Sequence, residues 1–376
     1  MNPVSEVAVN VMWLRPGKVG GSETYIRRVL RSLAGAEPGL EDLRIIGPVE
    51  ATSAMGLSGA TFIAPPVTSR SRAARVAMER LWLARVMDTG SGVLHHPGGT
   101  VPFDSARPTV VTIHDLQPIT NPQYFSRTKQ EFLARALPEA VERADVVATP
   151  SDWVRQDVIE RLGADPDRVV TVSAYAGQSE DADLGTSSPE LSPELEAIVE
   201  RGPVILFPAM TLGHKNHRFL FDAFAIAQAK DPSLSLVCTG SEGKDHEAIV
   251  AYAASASPAI HMLGHVERGD LRGLFSRAEM LVFPSLYEGF GLPVLEAQSA
   301  QLPVIASSST AIPEVAGDGA IICDPTDLEA WADAMANRLG SAERADLVDR
   351  GTANARRYSS EQTAQQQLGA YERAAS

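Results

Sequence analysis

The sequence lacks the features that mark several large classes of protein. Its only two cysteines, Cys238 and Cys323, lie inside apolar, strand-like runs, so buried reduced thiols are expected rather than a disulfide framework. No apolar run reaches the length of roughly eighteen residues that a membrane-spanning helix needs. The first residues, MNPVSEVAVNVMWL, carry no basic segment ahead of an apolar one, which argues against a signal peptide. We therefore expect a cytoplasmic protein.

The motifs of common nucleotide binders are also missing. No strand-like run leads into a complete G-x-G-x-x-G, and G-x-x-x-x-G-K-[ST] does not occur. A nicotinamide enzyme and a P-loop nucleotidase therefore lose their usual support. The net charge of −14 argues against binding to nucleic acid.

Positive charge is nevertheless concentrated near the start of the chain. Residues 1–90 hold 11 Lys and Arg against 8 Asp and Glu. Within 70–85, five arginines flank Trp82, namely Arg70, Arg72, Arg75, Arg80 and Arg85. A basic helix with a tryptophan can lie on anionic lipid, but a solvated helix face over a core stripe has the same composition. A peripheral membrane contact through 70–85 and an ordinary surface helix both stay open.

The chain does contain a regular alternation of strand-like and helix-like segments. Apolar, β-rich runs occur at 7–14, 43–47, 92–96, 109–115, 145–151 and 168–174, and again at 203–209, 234–240, 260–265, 280–285, 303–308 and 320–325. Helix-like segments lie between them, such as 22–34, 126–143, 216–229, 291–300 and 327–338. Apolar strands separated by helices predict parallel sheets that are covered on both faces.

The length of 376 residues is comfortable for two domains. The segment 177–202 is rich in Ser, Pro and acidic residues, which is typical of an interdomain linker. Residues 341–373 predict two helices that are separated near 358–360. We predict an α/β fold with two doubly wound, Rossmann-like domains that face a central cleft, residues 1–178 and 179–358.

The strand ends of the first half carry candidate binding residues, because ligands of open parallel sheets bind at the carboxyl ends of the strands. After 7–14 come Gly20 and Gly21, ahead of a helix start. Amide groups at such a turn suit a phosphate or a close-lying sugar, although a plain tight turn has the same pattern. The run 109–115 ends in His114 and Asp115, and a histidine at a strand end is well placed for function.

In the second half, the run 203–209 leads into PAMTLGHKNHRFL, which gathers polar side chains ahead of a helix. This segment holds Thr211, His214, Lys215, Asn216 and His217. Lys215 beside a helix start suits a phosphate. Two histidines three positions apart could bind zinc, but no third ligand follows at a convincing spacing, so no metal site is predicted.

The stretch FPSLYEGFGLPVLEA places Glu288 and Glu296 eight positions apart around the turn 288–291. Pro293 suits the start of a helix, whose amides near 289–292 present the positive end of the helix dipole. Helical side chains lean toward the amino end, so Glu296 points back toward the turn. Carboxylates accept hydrogen bonds from the paired hydroxyls of ribose and hexose rings. Both acids can therefore contact one ligand whose diphosphate lies between them on the amides.

This stretch resembles the E-x7-E motif of retaining glycosyltransferases of the GT-B fold, in particular the large family 4 group that includes bacterial mannosyltransferases. The resemblance covers nearly the whole chain in family order: GGSE, TIHD, HKNH, TGSEG, HMLGHV, FPSLYEGFGLPVLEA and PVIASSSTAIPEVAGDGAIICDP. It implies the GT-B arrangement of two Rossmann-like domains, with a last helix, 359–376, that crosses back to the N-terminal domain.

The resemblance also assigns roles to single residues. It implies that Glu288 contacts the hydroxyls of the donor sugar, that Glu296 contacts those of the ribose, and that Lys215 holds the donor diphosphate. His114 would lie by the transferred sugar near the acceptor. The implied catalytic set is His114, Lys215 and Glu288, and the implied donor-binding set is Gly20, Gly21, Thr211, Lys215, His265, Val266, Glu288, Gly289, Phe290, Gly291, Leu292 and Glu296.

One departure from the family pattern concerns the cations that face the diphosphate. Many relatives carry an arginine shortly before the lysine, whereas this chain has Met210 and Thr211 there. Thr211 can supply only a hydroxyl donor, so the number of cations on the leaving diphosphate is in question.

The implied activity is transfer of a hexose, with mannose favoured, from a nucleoside-diphosphate sugar to an acceptor hydroxyl with retention at the anomeric carbon. The HKNH block favours GDP-mannose, while UDP- and dTDP-sugars stay open. The acceptor is a carbohydrate, a lipid-linked or a small molecule, in polysaccharide, glycolipid or glycoside biosynthesis. No cofactor and no metal are implied, and the family preference is front-face attack assisted by the leaving phosphate.

Three alternatives share this fold. A nucleotide-sugar epimerase and a phosphorylase that uses pyridoxal phosphate are both two-domain proteins of the same type. A non-catalytic member that only binds a nucleotide sugar would lack one of His114, Lys215, Glu288 and Glu296, and all four are present. The complete donor motif together with TIHD favours transfer over the two other enzymes.

Overall fold

The computed structural model divides the chain into two compact units. One unit comprises Met1–Tyr175 with Tyr358–Ser376, and the other comprises Ala176–Arg357. The structure describes residues 4–17, 20–36, 40–66, 78–87, 90, 92–177, 191–337 and 340–376. The predicted linker 177–202 lies partly outside these ranges.

The N-terminal unit is built on a seven-stranded sheet. Its strands are β1 (Glu6–Asn10), β2 (Asp42–Ile46), β3 (Thr61–Ile63), β4 (Val93–His96), β5 (Thr109–Thr112), β6 (Val146–Thr149) and β7 (Val169–Thr171). The strand order is β3-β2-β1-β4-β5-β6-β7, and every neighbouring pair is parallel. β4, β5 and β6 are buried along their whole length, as expected for strands covered on both faces.

Helices connect these strands. They are α1 (Gly21–Ala34), α2 (Val49–Met55), α3 (Ala84–Met87), α4 (Gln117–Thr120), α5 (Arg127–Arg143) and α6 (Asp152–Leu162). A π-helical turn, Glu79–Leu83, precedes α3, and 3-10 turns occupy Pro122–Tyr124 and Pro166–Arg168. Ser126 and Ser151 cap α5 and α6 by accepting a backbone N–H in each first turn, which fixes where these helices begin.

The C-terminal unit is built on a six-stranded parallel sheet. Its strands are β8 (Val204–Pro208), β9 (Ser235–Thr239), β10 (Ile260–Gly264), β11 (Met280–Phe283), β12 (Val304–Ser307) and β13 (Ile321–Cys323). Their order is β10-β9-β8-β11-β12-β13. The helices are α7 (Pro193–Val199), α8 (His217–Lys230), α9 (His246–Ala256), α10 (Arg268–Arg277), α11 (Leu292–Ser299), α12 (Ile312–Ala316), α13 (Leu328–Ala336) and α14 (Ser341–Arg356), with a 3-10 turn at Gly213–Lys215.

The last helix, α15 (Ser360–Ala374), belongs to the N-terminal unit, although it follows the C-terminal unit in the chain. Its buried face consists of Thr363, Ala364, Gln367, Ala370 and Tyr371. The Tyr371 ring is fully buried, and its hydroxyl lies 2.9 Å from Nδ1 of His95 on β4. Leu368 on the same helix is only half-buried, so small and polar side chains form most of the buried face.

Each sheet contains one point where the chain changes direction. In the N-terminal unit the chain moves outward from β1 to β3 and returns to the other side of β1 as β4. In the C-terminal unit it moves outward from β8 to β10 and returns beside β8 as β11. Loops diverge at such a switch point and leave a crevice at the carboxyl ends of the strands, where ligands bind in this class of fold.

Twelve of the strands coincide with apolar runs in the sequence, and the exception is β3. This strand is a three-residue edge strand, and its central side chain, Phe62, is 43% exposed. A short, exposed edge strand leaves no buried apolar run for sequence reasoning to find.

The basic stretch 70–85 lies largely outside the described residues. Arg70, Arg72 and Arg75 are not described, whereas Leu81 of the π-helical turn is 71% exposed. In the described ranges, no helix is both long enough and apolar enough to cross a bilayer. Peripheral membrane contact through this stretch stays a prediction.

Candidate functional site

Two oppositely charged side chains meet at the switch point of the C-terminal unit. Lys215 follows β8 and Glu288 follows β11, and these strands are neighbours in the sheet. Lys215 Nζ donates to Oε1 of Glu288 at 2.5 Å, and the two side chains are 17% and 13% exposed. Lys215 Nζ also lies 5.5 Å from the centre of the Phe283 ring. A cation and a carboxylate are thus held together at the place where this fold binds ligands.

The backbone around Lys215 is fixed by the residue that follows it. Asn216 adopts a left-handed conformation with φ 63° and ends the 3-10 turn that carries Lys215. Asparagine tolerates this conformation better than most residues. Its side-chain Nδ2 donates to the carbonyls of Pro284 and Pro325 at 3.2 and 3.1 Å, which ties the turn to the segments after β11 and β13.

The turn after Glu288 leads directly into α11. Gly291 has φ 111° and precedes the first helical residue, Leu292, without a side-chain cap. Only glycine adopts such a positive φ without strain. The first amides of a helix have no acceptor within the helix, and they carry the positive end of its dipole. Pro293 occupies the second helical position rather than the first, where its missing N–H is equally harmless.

Glu296, Gly289 and Phe290 complete the predicted motif. Glu296 lies in the second turn of α11 and is half-buried, as is Gly289 in the turn. The Phe290 side chain is buried. Glu288 and Glu296 therefore come from one turn and the helix that it begins.

The amide of Glu288 has an acceptor that the sequence analysis did not identify. Glu288 N–H donates to Oγ1 of Thr310, at 2.9 Å. Thr310 follows β12, the neighbour of β11, and its φ is 54°. The sequence shows only that Thr310 follows a strand-like run in the SSSTAIPEV block, which does not predict a contact with Glu288.

The side chain of Thr211 is buried between two loops. It is 3% exposed, and its Oγ1 accepts the Gly243 N–H at 2.7 Å and lies 3.3 Å from Nδ1 of His246. A side chain at position 243 would collide with the Thr211 carbonyl, so the two loops pack closely. Thr211 thus joins the loops after β8 and β9, and a contact between Thr211 and a donor stays a prediction.

His214 and His217 are neutral at neutral pH. Burial lowers the pKa of His214 to about 4, and the charges of Lys215 and Lys244 add to this effect while Glu288 opposes it. Burial likewise lowers the pKa of His217 to about 4, with Lys215 the next cause. The influence of Lys244 identifies a further cation near the loop of Lys215, in the TGSEGKD segment after β9. Among the described residues, no group of three His, Cys, Asp or Glu is arranged to hold a metal ion.

The residues predicted to flank a nucleobase lie after β10. His265 is exposed and Val266 is half-buried, directly behind the strand end at Gly264. β10 is at the edge of the sheet, two strands away from β8. These residues share the carboxyl edge of the sheet with Lys215 but make no recorded hydrogen bond to it in the described part of the chain.

In the N-terminal unit, Gly20 and Gly21 open α1 after β1. Gly20 has φ 74° and ψ −134°, a conformation that essentially only glycine adopts, and it precedes the helix without a side-chain cap. Among the described residues, a Cβ added at Gly21 meets no atom within 4 Å. The described part of the chain therefore leaves space at Gly21, beside the switch point between β1 and β4.

His114 lies after β5 in the same unit and is oriented by three neighbours. Its Nε2 lies 2.8 Å from the carbonyl of Pro97, which can only accept, so Nε2 carries the proton and Nδ1 is an acceptor. Burial lowers the pKa of His114 to about 4, and the Pro97 hydrogen bond opposes this shift. The ring packs edge-on against Tyr25 of α1 at 5.1 Å and is tilted against Trp13 at 6.1 Å. A neutral imidazole with a defined tautomer results.

Two Rossmann-like units, a charged pair at a switch point and a helix amino end without a side-chain cap are features that the resemblance to GT-B glycosyltransferases implies. Two family models match the chain: Glycosyltransferase Family 4 over residues 19–174 and Glycosyl transferases group 1 over residues 190–356. The chain belongs to these glycosyltransferases, as the resemblance predicted.

Curated relatives include mannosyltransferases. O-antigen chain mannosyltransferase B of Escherichia coli is 29% identical over 285 residues, which are 74% of this chain and 74% of the relative. D-inositol 3-phosphate glycosyltransferase of Salinispora tropica is 29% identical over 288 residues, 70% of this chain and 58% of the relative, so the match spans less than two thirds of that protein.

Solved structures support the fold. HepE of Anabaena, solved in complex with UDP and glucose, superimposes on this chain with a TM-score of 0.71 at 16% identity. The superposition covers 97% of this chain and 98% of the HepE chain. WaaG, a glycosyltransferase involved in lipopolysaccharide biosynthesis, has a TM-score of 0.71 at 16% identity, with 97% and 99% covered. At this identity the likeness establishes the shared fold.

Proposed function

We propose that this glycosyltransferase moves a hexose from a nucleoside-diphosphate sugar to an acceptor hydroxyl, with retention at the anomeric carbon. The observation that carries the proposal is the Lys215–Glu288 pair, held at 2.5 Å at the switch point beside the amino end of α11. A cation and helix amides suit a diphosphate, and a carboxylate suits sugar hydroxyls.

Residues of the C-terminal unit contact the different parts of the donor in this proposal. Glu288 accepts hydrogen bonds from hydroxyls of the transferred sugar, and Glu296 accepts those of the ribose. Lys215 exchanges its contact with Glu288 for the diphosphate, together with the amides of Gly291 and Leu292. Fixed positive charge of this kind stabilises the departing diphosphate, and we propose that it serves without a divalent metal or another cofactor.

Mannose is the favoured sugar and GDP-mannose the favoured donor. The support comes from the HKNH block and from relatives named as mannosyltransferases, including the O-antigen chain enzyme of Escherichia coli. Names of relatives at 29% identity support a sugar class rather than a single donor, so UDP- and dTDP-sugars belong in any test. Polysaccharide, glycolipid or glycoside synthesis is the proposed context.

The proposed mechanism needs no covalent intermediate with the protein. The bond between the anomeric carbon and the diphosphate oxygen breaks, the acceptor oxygen bonds to the same face of that carbon, and its proton passes to the leaving diphosphate. His114, neutral and with Nδ1 as an acceptor, is assigned to the transferred sugar near the acceptor by the family resemblance. This role of the N-terminal unit stays a prediction.

A donor screen followed by product analysis tests the proposal. Thermal shift is measured with GDP-mannose, UDP-glucose, UDP-N-acetylglucosamine and dTDP-glucose, and each stabilising donor is then incubated with and without sugar, lipid-linked and small-molecule acceptors. We expect GDP-mannose to raise the melting temperature most and to give a mannosylated acceptor plus GDP. Free epimerised donor would identify an epimerase, and binding without turnover against every acceptor would identify a binding protein.

A further inference from the structure

The loop after β12 holds a residue in an unusual backbone conformation. Thr310 has φ 54°, and of the described residues outside glycine only Asn216 and Gln301 share a positive φ. Thr310 is the β-branched member of this group. A β-branched side chain crowds its own backbone in the left-handed region, so such a residue persists only where its surroundings hold it there.

Contacts on both sides hold the Thr310 loop. On the strand side, Ser309 N–H donates to Oγ of the fully buried Ser307 at 3.1 Å. On the helix side, Ile312 N–H donates to the Ser309 carbonyl at 3.2 Å, and Ile312 begins α12 as a fully buried residue. Thr310 is therefore fixed between a buried strand end and a buried helix start.

The Thr310 side chain accepts the amide of a residue that the proposed function uses. Glu288 N–H donates to Thr310 Oγ1 at 2.9 Å. The carboxylate of the same residue accepts from Lys215 Nζ at 2.5 Å. Glu288 is thus held from two directions, its side chain by the Lys215 cation and its backbone by the hydroxyl of Thr310.

We propose that Thr310 is a positioning residue for glycosyl transfer, which keeps the Glu288 turn in the geometry in which its carboxylate contacts the donor sugar. The inference rests on the proposed function of Glu288. Under that function Lys215 turns to the diphosphate when the donor binds, and Glu288 loses its ion pair at the moment when its position matters. The amide contact to Thr310 does not depend on Lys215 and remains. The left-handed backbone at position 310 places Oγ1 within hydrogen-bond distance of that amide, which explains why the strain is kept.

Substitutions at position 310 separate the hydroxyl from the shape of the side chain. Thr310→Val keeps the β-branch and removes the hydroxyl, and Thr310→Ser keeps the hydroxyl. The matched control is Thr326→Val, the same change in the same unit, where Oγ1 donates to Asp324 in an exposed turn. Steady-state kinetics use GDP-mannose and the acceptor that gives most turnover in the screen, and isothermal titration uses GDP alone.

For Thr310→Val we expect kcat to fall about 3- to 10-fold, the loss expected for one neutral hydrogen bond, with GDP affinity within about twofold of the parent. GDP lacks the sugar that Glu288 contacts, so its binding does not report on the position of the Glu288 carboxylate. Its proposed contacts are Lys215 and the amides of Gly291 and Leu292, which the start of α11 holds independently of Thr310, because Val294 N–H donates to the Gly291 carbonyl at 3.0 Å. Thr310→Ser should restore kcat to within about twofold, and Thr326→Val should leave both quantities unchanged.

Three results would overturn the inference. An unchanged kcat in Thr310→Val, while Glu288→Gln is impaired, removes Thr310 and leaves the proposed function standing. Equal losses of kcat, GDP affinity and melting temperature in Thr310→Val, not rescued in Thr310→Ser, would reduce the residue to a general structural role. Full activity in Glu288→Gln, or no turnover by the parent protein with any donor, overturns the proposed function and this inference with it.

Discussion

At the scale of single residues, the central feature is a compensated charge pair. Lys215 and Glu288 neutralise each other at the switch point, and each is largely shielded from solvent. Removing one partner leaves the other charge without compensation in a partly desolvated place, which is more costly than losing a surface pair. The same arrangement would let both groups exchange partners when an anion with attached hydroxyls binds.

Replacement of Glu288 tests its assigned contact with the donor sugar. We expect Glu288→Ala to lower kcat/KM at least about 10- to 150-fold, the loss of a hydrogen bond to a charged group, while circular dichroism shows an intact fold. Glu329→Ala, on the exposed face of α13, is the control. Parent-like activity in Glu288→Ala would remove this residue from the site.

Glu296 is expected to act on binding rather than on turnover. Its assigned partners are ribose hydroxyls, which contact the protein equally in the ground state and in the transition state. Glu296→Ala should therefore raise the donor KM about tenfold or more with a smaller change in kcat. A donor KM equal to that of the parent would show that Glu296 is an acid of the helix start without a ligand contact.

Buried histidines make stability depend on pH. Burial lowers the pKa of His95 to about 3, and its ring nitrogens are committed to Tyr371 and Thr112. A folded-state pKa below the unfolded value of about 6.5 means that the unfolded chain takes up protons first, so stability falls as pH drops below that value. Between pH 6.5 and 5 each such histidine contributes up to about 1.4 kcal/mol of lost stability per pH unit.

Urea unfolding at pH 7, 6 and 5 measures this dependence. We expect the free energy of unfolding to decrease from pH 7 to pH 5, and His95→Gln to reduce the slope. Equal stability at pH 7 and pH 5 would contradict the assignment of neutral, buried histidines.

At the scale of helices and strands, two features of the sequence predicted most of the structure: the alternation of apolar strand-like runs with helix-like segments, and the polar residues at the ends of the strands. Strands such as β5 and β11 are buried throughout and therefore appear as continuous apolar runs. The Glu288 turn was found because glycines, a proline and two acids coincide at one strand end. Thr310 was not identified because a single threonine has no such pattern. Its role depends on a contact between the loops of two neighbouring strands, which sequence spacing does not encode.

The helix α15 is expected to be an integral part of the N-terminal unit. Deleting 359–376 removes Tyr371, whose side chain packs against His95 on β4, and should therefore lower the melting temperature of the N-terminal unit. Tyr371→Phe is the gentler test, because it leaves Nδ1 of the fully buried His95 without its hydroxyl partner, at a cost of about 1–3 kcal/mol. Tyr252→Phe, which loses a hydroxyl contact to Asp222 on half-exposed helices, is the control. An unchanged melting curve for the truncated chain would place this helix in solvent.

At the scale of the whole molecule, two similar sheets carry different chemistry. The C-terminal unit offers a cation, two carboxylates and a helix amino end, which suit a charged donor. The N-terminal unit offers a glycine turn and a neutral histidine of defined tautomer, His114, which suit uncharged hydroxyls. The alternation of strands and helices predicted both sheets, whereas the sugar, the base and the acceptor depend on side-chain details that neither the pattern nor the family fixes.

The most direct test of the account is the stereochemistry of the product. GDP-α-mannose and the acceptor that supports turnover are followed by proton NMR in the presence of EDTA. We predict that GDP and an α-mannoside appear in equal amounts, since each transfer yields both, and that EDTA does not slow their formation. The α configuration follows from the proposed attack and departure on one face of the sugar, and the insensitivity to EDTA from the proposed stabilisation of the diphosphate by Lys215 and the amides of α11. A β-mannoside, or transfer that stops in EDTA and returns with added Mn²⁺, would contradict the proposed mechanism.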